Sequence, residues 1–337
     1  MNSNIPKVVL ITGATGAIGP CVVHAFHLAG CQIRTFSNIP PAEGIFPQNV
    51  EAVIGDVTDP AAVRSAMLNV DAAIHLAALL HVLNPSPQLN ERYEKINVDG
   101  TRNVVDAAIG SCVKRIVLFS TIAVYGRSKD GDILTEQSTT QPETYYAQTK
   151  LSAEQIVLAA HAPDGKPLGT VLRLGAVYGA RIKGNYERLA LALARKRFIP
   201  IGSGLNRRTM IYDKDVGHAA LLAALHPTAA GRIFNVTDGK FHTMNEIILS
   251  ICSALGRRPP LFSLPAGPAR LLVDLVEKIT ETIGLKAPLT KAMIDKYTED
   301  MAVDGSLIQK ELGFIPAYDL KKGWEEAIGV MRLCKIL

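Results

Sequence analysis

Tyr146 and Lys150 stand four residues apart in a stretch of helical pattern, a spacing that puts a phenol and an ammonium on one face. A free phenol titrates near 10, about three units too high for a base at neutral pH. A neighbouring ammonium favours the phenolate. Three units correspond to about 4 kcal/mol of differential stabilisation, a demand that two close cations could meet. So tuned, the tyrosine could pass a proton to or from a substrate hydroxyl. Ser120-Thr121 ends the apolar run Ile116–Phe119, and a hydroxyl there could bond the reacting oxygen. Each signal has a plain alternative. Tyr and Lys at this spacing are commonplace on helices, and Ser and Thr often cap or end an element.

A second signal lies near the start. Thr12-Gly13-Ala14-Thr15-Gly16-Ala17-Ile18-Gly19 follows the apolar run Lys7–Ile11 and opens a helical pattern over Ile18–Ala29. A buried strand, a glycine-rich turn and a helix start are the setting of a dinucleotide-phosphate site. Gly13 permits a tight turn, Gly16 lets the backbone approach a pyrophosphate, and Gly19 lets the helix pack on the strand. Free N–H groups and the dipole of the helix start favour an anion. A nicotinamide cation bound there would be the second charge acting on the phenol.

The elements that must position these residues alternate. Apolar runs at Val8–Ile11, Gln32–Phe36, Glu51–Ile54, Ala72–Leu76, Ile116–Phe119 and Thr170–Leu174 are separated by helical patterns near Ile18–Ala29, Ala61–Leu68, Val98–Ile109 and Ala147–Ala160. That rhythm predicts an α/β fold, a doubly wound parallel sheet binding ligands beyond the carboxyl ends of its strands. After Gly175 helical patterns dominate, at Tyr186–Arg197, Val216–Leu225, Asn245–Leu255, Leu271–Ile283 and Leu320–Met331. The expected division is a dinucleotide-binding domain of residues 1–175 and 211–240, and a smaller, mainly helical C-terminal substrate lobe of 176–210 and 241–337.

The 337 residues are 48% hydrophobic and 20% charged, a globular composition, and the net charge of +5 is too dispersed to imply nucleic acid. Five scattered cysteines, without a CxxC pair or a Cys/His cluster, point to no metal and to reduced thiols in the cytoplasm. The first residues lack a signal-peptide pattern, and no apolar stretch suits membrane insertion. The amphipathic stretch Leu271–Ile279 is expected to pack on the core or a partner subunit, because Asp274 and Glu277 make its polar side acidic.

Taken together, these motifs resemble the extended short-chain dehydrogenase/reductases, the NAD-dependent epimerase/dehydratase family. Thr12–Gly19 is similar to its TGxxGxxG turn, and Asp56-Val57 to the acidic-apolar pair that contacts adenine. His75-Leu76-Ala77-Ala78 resembles the stretch beside the cofactor, and Asn97–Thr101 the NVxGT helix. Ser120–Gly126 resembles SSxxVYG, and Tyr146–Lys150 is YxxxK. The resemblance implies a Rossmann-type fold. It makes Tyr146 the acid/base and Lys150 its tuner and holder of the nicotinamide ribose, with Thr121 binding the reacting oxygen. It leaves Ser120 structural and Tyr145 a poorer base. The cofactor contacts it implies are Gly13, Thr15, Gly16, Ala17, Ile18, Gly19, Ser37, Asp56, Val57, Leu76, Ala77, Ala78, Asn97, Tyr146 and Lys150.

The family's 4,6-dehydratases carry an Asp-Glu pair directly after the catalytic threonine, where this chain has Ile122-Ala123, so elimination of water is not expected. Arg208, with Arg207 competing, matches the arginine that meets the diphosphate of a nucleotide sugar. Against that, Ala176 replaces the asparagine of RPxNVYG that also contacts the diphosphate. Ser37 stands where NAD enzymes of this type carry an acid, and Arg34 lies on the same strand. NAD or NADP fits, with NAD favoured. The expected partner is a small molecule, a nucleotide sugar in the first instance, converted by a 4-epimerase. A dehydrogenase or reductase of a steroid-like or flavonoid-like alcohol is the alternative, and a non-catalytic NAD(P)-binding regulator comes third. The resemblance also implies a homodimer formed through the helices carrying Asn97 and Tyr146.

Overall fold

The computed structural model describes residues 5–80, 87–128, 131–282 and 290–337. The first half follows the expected alternation: β1 (Val8–Thr12), α1 (Gly19–Leu28), β2 (Gln32–Ser37), β3 (Glu51–Ile54), α2 (Pro60–Ala66) and β4 (Ala72–His75). Then come α3 (Pro87–Tyr93), a π-helical stretch (Glu94–Asp99), α4 (Gly100–Gly110), β5 (Arg115–Thr121), α5 (Tyr145–Leu158) and β6 (Gly169–Leu174). The second half holds β7 (Ala176–Tyr178), α6 (Asn185–Ala194), β8 (Arg207–Tyr212), α7 (Asp213–Leu225), β9 (Arg232–Val236), β10 (Phe241–Thr243) and α8 (Met244–Leu255). It ends with α9 (Ala266–Thr282), α10 (Lys291–Thr298), α11 (Ser306–Leu312) and α12 (Leu320–Leu333).

Seven strands form one parallel sheet in the order β3-β2-β1-β4-β5-β6-β9. Its central strands are apolar runs buried on both faces, as a parallel sheet requires. On one face Val22, Val23 and Phe26 of α1 pack with Val216 and Ala220 of α7. On the other, Val63 of α2, Val104 of α4 and Ala153 and Val157 of α5 pack together. The chain winds outward in opposite directions from β1 and β4, so a crevice opens at their carboxyl ends, where Thr12 is in register with His75.

Local chemistry sets the ends of the helices. The Asp59 carboxylate accepts the Ala61 and Ala62 N–H groups ahead of α2, which starts on Pro60. The Thr144 hydroxyl caps α5, fixing where Tyr146 and Lys150 begin. Thr243 and Glu246 form a reciprocal capping box on α8, which stops at left-handed Gly256.

The C-terminal region is mainly helical, with its own core of Tyr178, Tyr212, Met244, Ile247, Trp324 and Ile328. It also contains a three-stranded sheet, β10-β8-β7, that the sequence reading lacks. Two of those strands are three residues long, too short for an alternation to show. The short helices α3, α10 and α11 escape for the same reason. The expected helix Leu271–Ile283 is α9, which starts earlier, at Ala266; residue 283 lies outside the described residues. Among the described residues, no helix is long and apolar enough to cross a membrane.

Candidate active site

The turn after β1 forms a cradle. Gly13 has a φ of 68°, and its N–H donates to the Phe36 carbonyl at 2.8 Å. A Cβ there would lie 2.6 Å from the Ala77 nitrogen, so glycine serves both the turn and the close pass of the chain leaving β4. A Cβ on Gly19 would fall 1.9 Å from the Ala14 carbonyl oxygen; the helix start packs on the turn itself rather than on the strand. Gly16 differs: a Cβ would meet only the Gly13 oxygen, at 3.1 Å. Its outer side is open, and the neighbouring N-cap, Ile18, has no side-chain cap. An open glycine beside an uncapped helix start fits a pyrophosphate. Gly16→Val is therefore expected to keep the fold and lose NAD binding by at least about tenfold, the scale of one lost charged hydrogen bond. Isothermal titration checks this; unchanged affinity contradicts it.

Ser37 ends β2, and its hydroxyl accepts the Thr15 N–H at 3.3 Å, tying the ribose end of the crevice to the glycine turn. Arg34 is already committed. It pairs with Glu51 at 2.8 Å and donates to the Ala66 and Leu68 carbonyls at the end of α2. Asp56 is exposed and accepts the Thr58 N–H, while buried Val57 offers its carbonyl to Asn103. Leu76, Ala77 and Ala78 leave β4 partly exposed along the same crevice.

A directed hydrogen-bond chain holds the floor. The Ala77 N–H donates to the Thr12 hydroxyl, which lies 2.7 Å from His75 Nδ1. The Thr101 hydroxyl donates to the Asn97 carbonyl, so it can only accept from His75 Nε2, 3.1 Å away. The imidazole therefore carries its hydrogen on Nε2 and is neutral. Burial first, and the Lys150 ammonium second, push its pKa down to about 3. The Asn97 side chain accepts the Leu79 N–H and donates to the Leu79 carbonyl and the Thr149 hydroxyl. It thus pins the chain after β4 to α5.

The inner face of α5 carries Tyr146, Lys150 and Glu154 at successive turns. Glu154 is 1% exposed; it accepts the Ser120 hydroxyl at 2.5 Å and holds Arg173 of β6 through Nε and Nη2, one edge of the guanidinium. The Ser120 hydroxyl is thereby committed to Glu154. Glu154 escapes the sequence reading, although its i+4 spacing from Lys150 continues the Tyr146–Lys150 pattern. One turn earlier, Lys150 is 3% exposed and close enough to His75 to act on it, at the glycine end of the sheet. Burial lowers its pKa to about 8, opposed by Glu154.

Tyr146 lies against Tyr93, with ring centroids 6.1 Å apart, and the Tyr93 hydroxyl donates to the Leu80 carbonyl. Burial, with Tyr93 beside it, pushes the Tyr146 phenol up to about 12, opposite to the lowering expected from the sequence. Desolvation in the crevice disfavours the phenolate, and the neighbouring Tyr93 adds to it. Tyr145 also lies near Tyr93, ring centroids 6.3 Å apart, but its hydroxyl is 3.4 Å from Glu94. Thr121 ends β5, and its oxygen accepts the Ala123 N–H at 3.2 Å, which leaves its O–H to donate.

Lys150 gives a pH signature. In the unfolded chain it keeps its proton to about 10.5, in the folded protein only to about 8. Between those values the unfolded state binds more protons, so this group makes stability rise with pH; below about 8 the full penalty is present. The gap corresponds to about 3 kcal/mol. Lys150→Met is expected to stabilise the cofactor-free protein at pH 7 by up to that amount, and to flatten its stability between pH 8 and 10.5. Denaturant titrations of both proteins check this; a less stable variant contradicts it.

Arg208 and Arg207 are both engaged. Arg208 is 8% exposed; its guanidinium donates to the Lys296 and Tyr297 carbonyls at the end of α10 and lies 3.6 Å from Glu299. Arg207 grips Asp300 through two nitrogens. Asp215 accepts the Ala317 and Tyr318 N–H groups and so orients the chain. Burial raises the Asp213 carboxyl to about 6.

The sheet order and the glycine cradle are those of a dinucleotide-binding α/β fold. The model of the NAD dependent epimerase/dehydratase family matches residues 9–237, and the chain belongs to that family; its cofactor is NAD or NADP. It is 28% identical over 334 residues to the N-acetyl-alpha-D-glucosaminyl-diphospho-ditrans,octacis-undecaprenol 4-epimerase of Escherichia coli O157:H7, covering 97% of this chain and 95% of that one. A 3 beta-hydroxysteroid dehydrogenase/Delta 5-->4-isomerase of Mycobacterium tuberculosis is 24% identical, over 95% of this chain and 89% of that one. Among solved structures, MoeE5 in complex with UDP-glucose and NAD superposes with a TM-score of 0.76 at 24% identity, covering 97% of this chain and 99% of that one.

Proposed function

We infer that the protein is a 4-epimerase of a sugar carried on a diphosphate, a nucleotide sugar in the first instance. Residues 1–175 and 211–240 hold NAD, and residues 176–210 and 241–337 hold the substrate. The observation that carries this reading is the alignment of Tyr146, Lys150 and Glu154 on one inward face of α5, anchored at Ser120 and Arg173 and opening on the glycine cradle. Nicotinamide, when bound, supplies a reversible store for the hydride of the sugar carbon. Thr121 donates its O–H to the reacting oxygen. Tyr146 Oη removes the proton of that oxygen as the ketone forms and returns it when the hydride is delivered to the other face. The Lys150 ammonium stabilises the phenolate and bonds the ribose. Arg208, buried in the lobe, is the group for the diphosphate, with its present carbonyl partners released or shared on binding.

A second reading is favoured by one observation: Arg208 is already satisfied by carbonyls and Glu299, and Ala176 offers no polar side chain. A dehydrogenase of a non-nucleotide alcohol needs neither contact. One experiment separates the readings. Holoenzyme incubated with UDP-glucose, UDP-galactose and their N-acetyl counterparts, without added NAD, is followed by NMR. Interconversion at C4 without net change in NAD supports the epimerase. Stoichiometric use of NAD with steroid-like alcohols, and inertness toward every diphosphate sugar, supports the alternative. Pairing of two copies through the helices carrying Asn97 and Tyr146 belongs to the same proposal, and light scattering tests it.

A further inference from the structure

One face of the C-terminal lobe has a character that the chemistry above does not use. Leu261 and Phe262, between α8 and α9, are 86% and 84% exposed, and Leu264 is exposed beside them. This segment is tied to the loop after α6: the Leu264 N–H donates to the Pro200 carbonyl, and the Gly202 N–H to the Leu264 carbonyl. Exposed Ile199 belongs to that second loop. On α9, the next helix in the chain, Leu271 and Leu272 are 75% and 60% exposed. The inner side of α9 is satisfied separately, Ala269 and Val273 packing on Ile294 of α10.

The two loops of this face are flanked in sequence by cations, and Arg270 on α9 is paired with Asp295 of α10. Residues 188–212 and 247–273 contain no Asp or Glu. Arg195-Lys196-Arg197 precedes the first apolar loop and Arg257-Arg258 the second, all five exposed. Arg195 and Arg257 line one cavity with Arg332, so the two basic runs are neighbours in space. The two acids of α9 that argued against a membrane from the sequence are partly exposed, not fully so. Glu277 accepts the Lys291 N–H at the start of α10, and Asp274 is partly buried.

We propose that this face docks on the surface of an anionic phospholipid bilayer, with Leu261, Phe262, Leu264, Leu271 and Leu272 at the headgroup–acyl boundary. The five cations form the collar that meets the phosphates. An apolar tip flanked by cations matches an interface that is anionic outside and apolar within. Docking at that depth needs no spanning helix. It also holds whichever substrate the enzyme takes, because it is measured without one.

The test is sedimentation of the full-length protein with sucrose-loaded vesicles of phosphatidylcholine, with and without phosphatidylglycerol. Binding is expected only to the anionic vesicles and should fall with added salt. Leu261→Ser with Phe262→Ser, and separately Arg257→Glu with Arg258→Glu, should each weaken it by about tenfold or more, as loss of large buried apolar area or of several phosphate contacts implies. Melting temperature and NAD affinity should stay at wild-type values, because these side chains are exposed. Absence of vesicle binding by the wild type overturns the proposal, as does binding that both double variants retain. So does a dimer that Leu261→Ser with Phe262→Ser dissociates, with no vesicle binding, since the face would then belong to a second copy.

Discussion

Tyr146→Phe is expected to lower turnover by a factor of about 10² to 10⁴, the range of a positioned acid/base, while NAD affinity and melting temperature stay near wild type. The variant keeps the ring that lies against Tyr93 and removes only the oxygen that carries the proton. A phenol that burial holds at about 12 is a poor base at neutral pH. Under the proposed mechanism, the nicotinamide cation of the bound cofactor would join Lys150 in favouring the phenolate. Steady-state kinetics with isothermal titration separates the effects. A variant with near wild-type turnover removes Tyr146 from the chemistry, and one that has lost NAD affinity makes its role structural.

Glu154→Ala has the largest expected effect on stability. Glu154 and Arg173 are 1% and 4% exposed at their side chains, with a shortest N···O distance of 2.6 Å. Removing the carboxylate leaves a buried guanidinium whose Nη1 already lacks a hydrogen-bond partner and whose remaining support is the Tyr125 ring at 4.8 Å. Breaking one side of a buried pair costs about 3–5 kcal/mol. The Ser120 hydroxyl loses its acceptor as well, and Lys150 loses the carboxylate that favours its charge. Urea unfolding should show the loss, and Glu154→Ala with Arg173→Leu should recover much of it, because the unpaired guanidinium is then gone. A single variant as stable as wild type contradicts this account of the pair.

The sequence carried the parts of the site that obey a fixed spacing. The glycine turn follows a strand and opens a helix within a few residues, and Tyr146 and Lys150 share a helix face, so both are readable from local order. The network beneath them was not. Ser120, Glu154 and Arg173 come from β5, α5 and β6, and only the pairing of those strands brings them together. The neutral tautomer of His75 likewise depends on hydroxyls from β1 and α4. Arg34 and Arg208 show the converse. Each has the right type at a plausible position, yet the fold spends its donors on helix-end carbonyls. The three-stranded sheet was illegible because strands as short as β7 and β10 leave no period to read.

The ionisation of Tyr146 with NAD bound tests the central claim most directly. Carbon-13 NMR of protein labelled at the tyrosine Cζ, with Tyr146→Phe to assign the resonance, follows that one phenol through a pH titration. Without NAD it should stay protonated beyond pH 10, in line with a value of about 12. With NAD it should titrate several units lower, toward neutrality. A holoenzyme resonance that remains un-ionised through pH 10 contradicts proton transfer by Tyr146 as described.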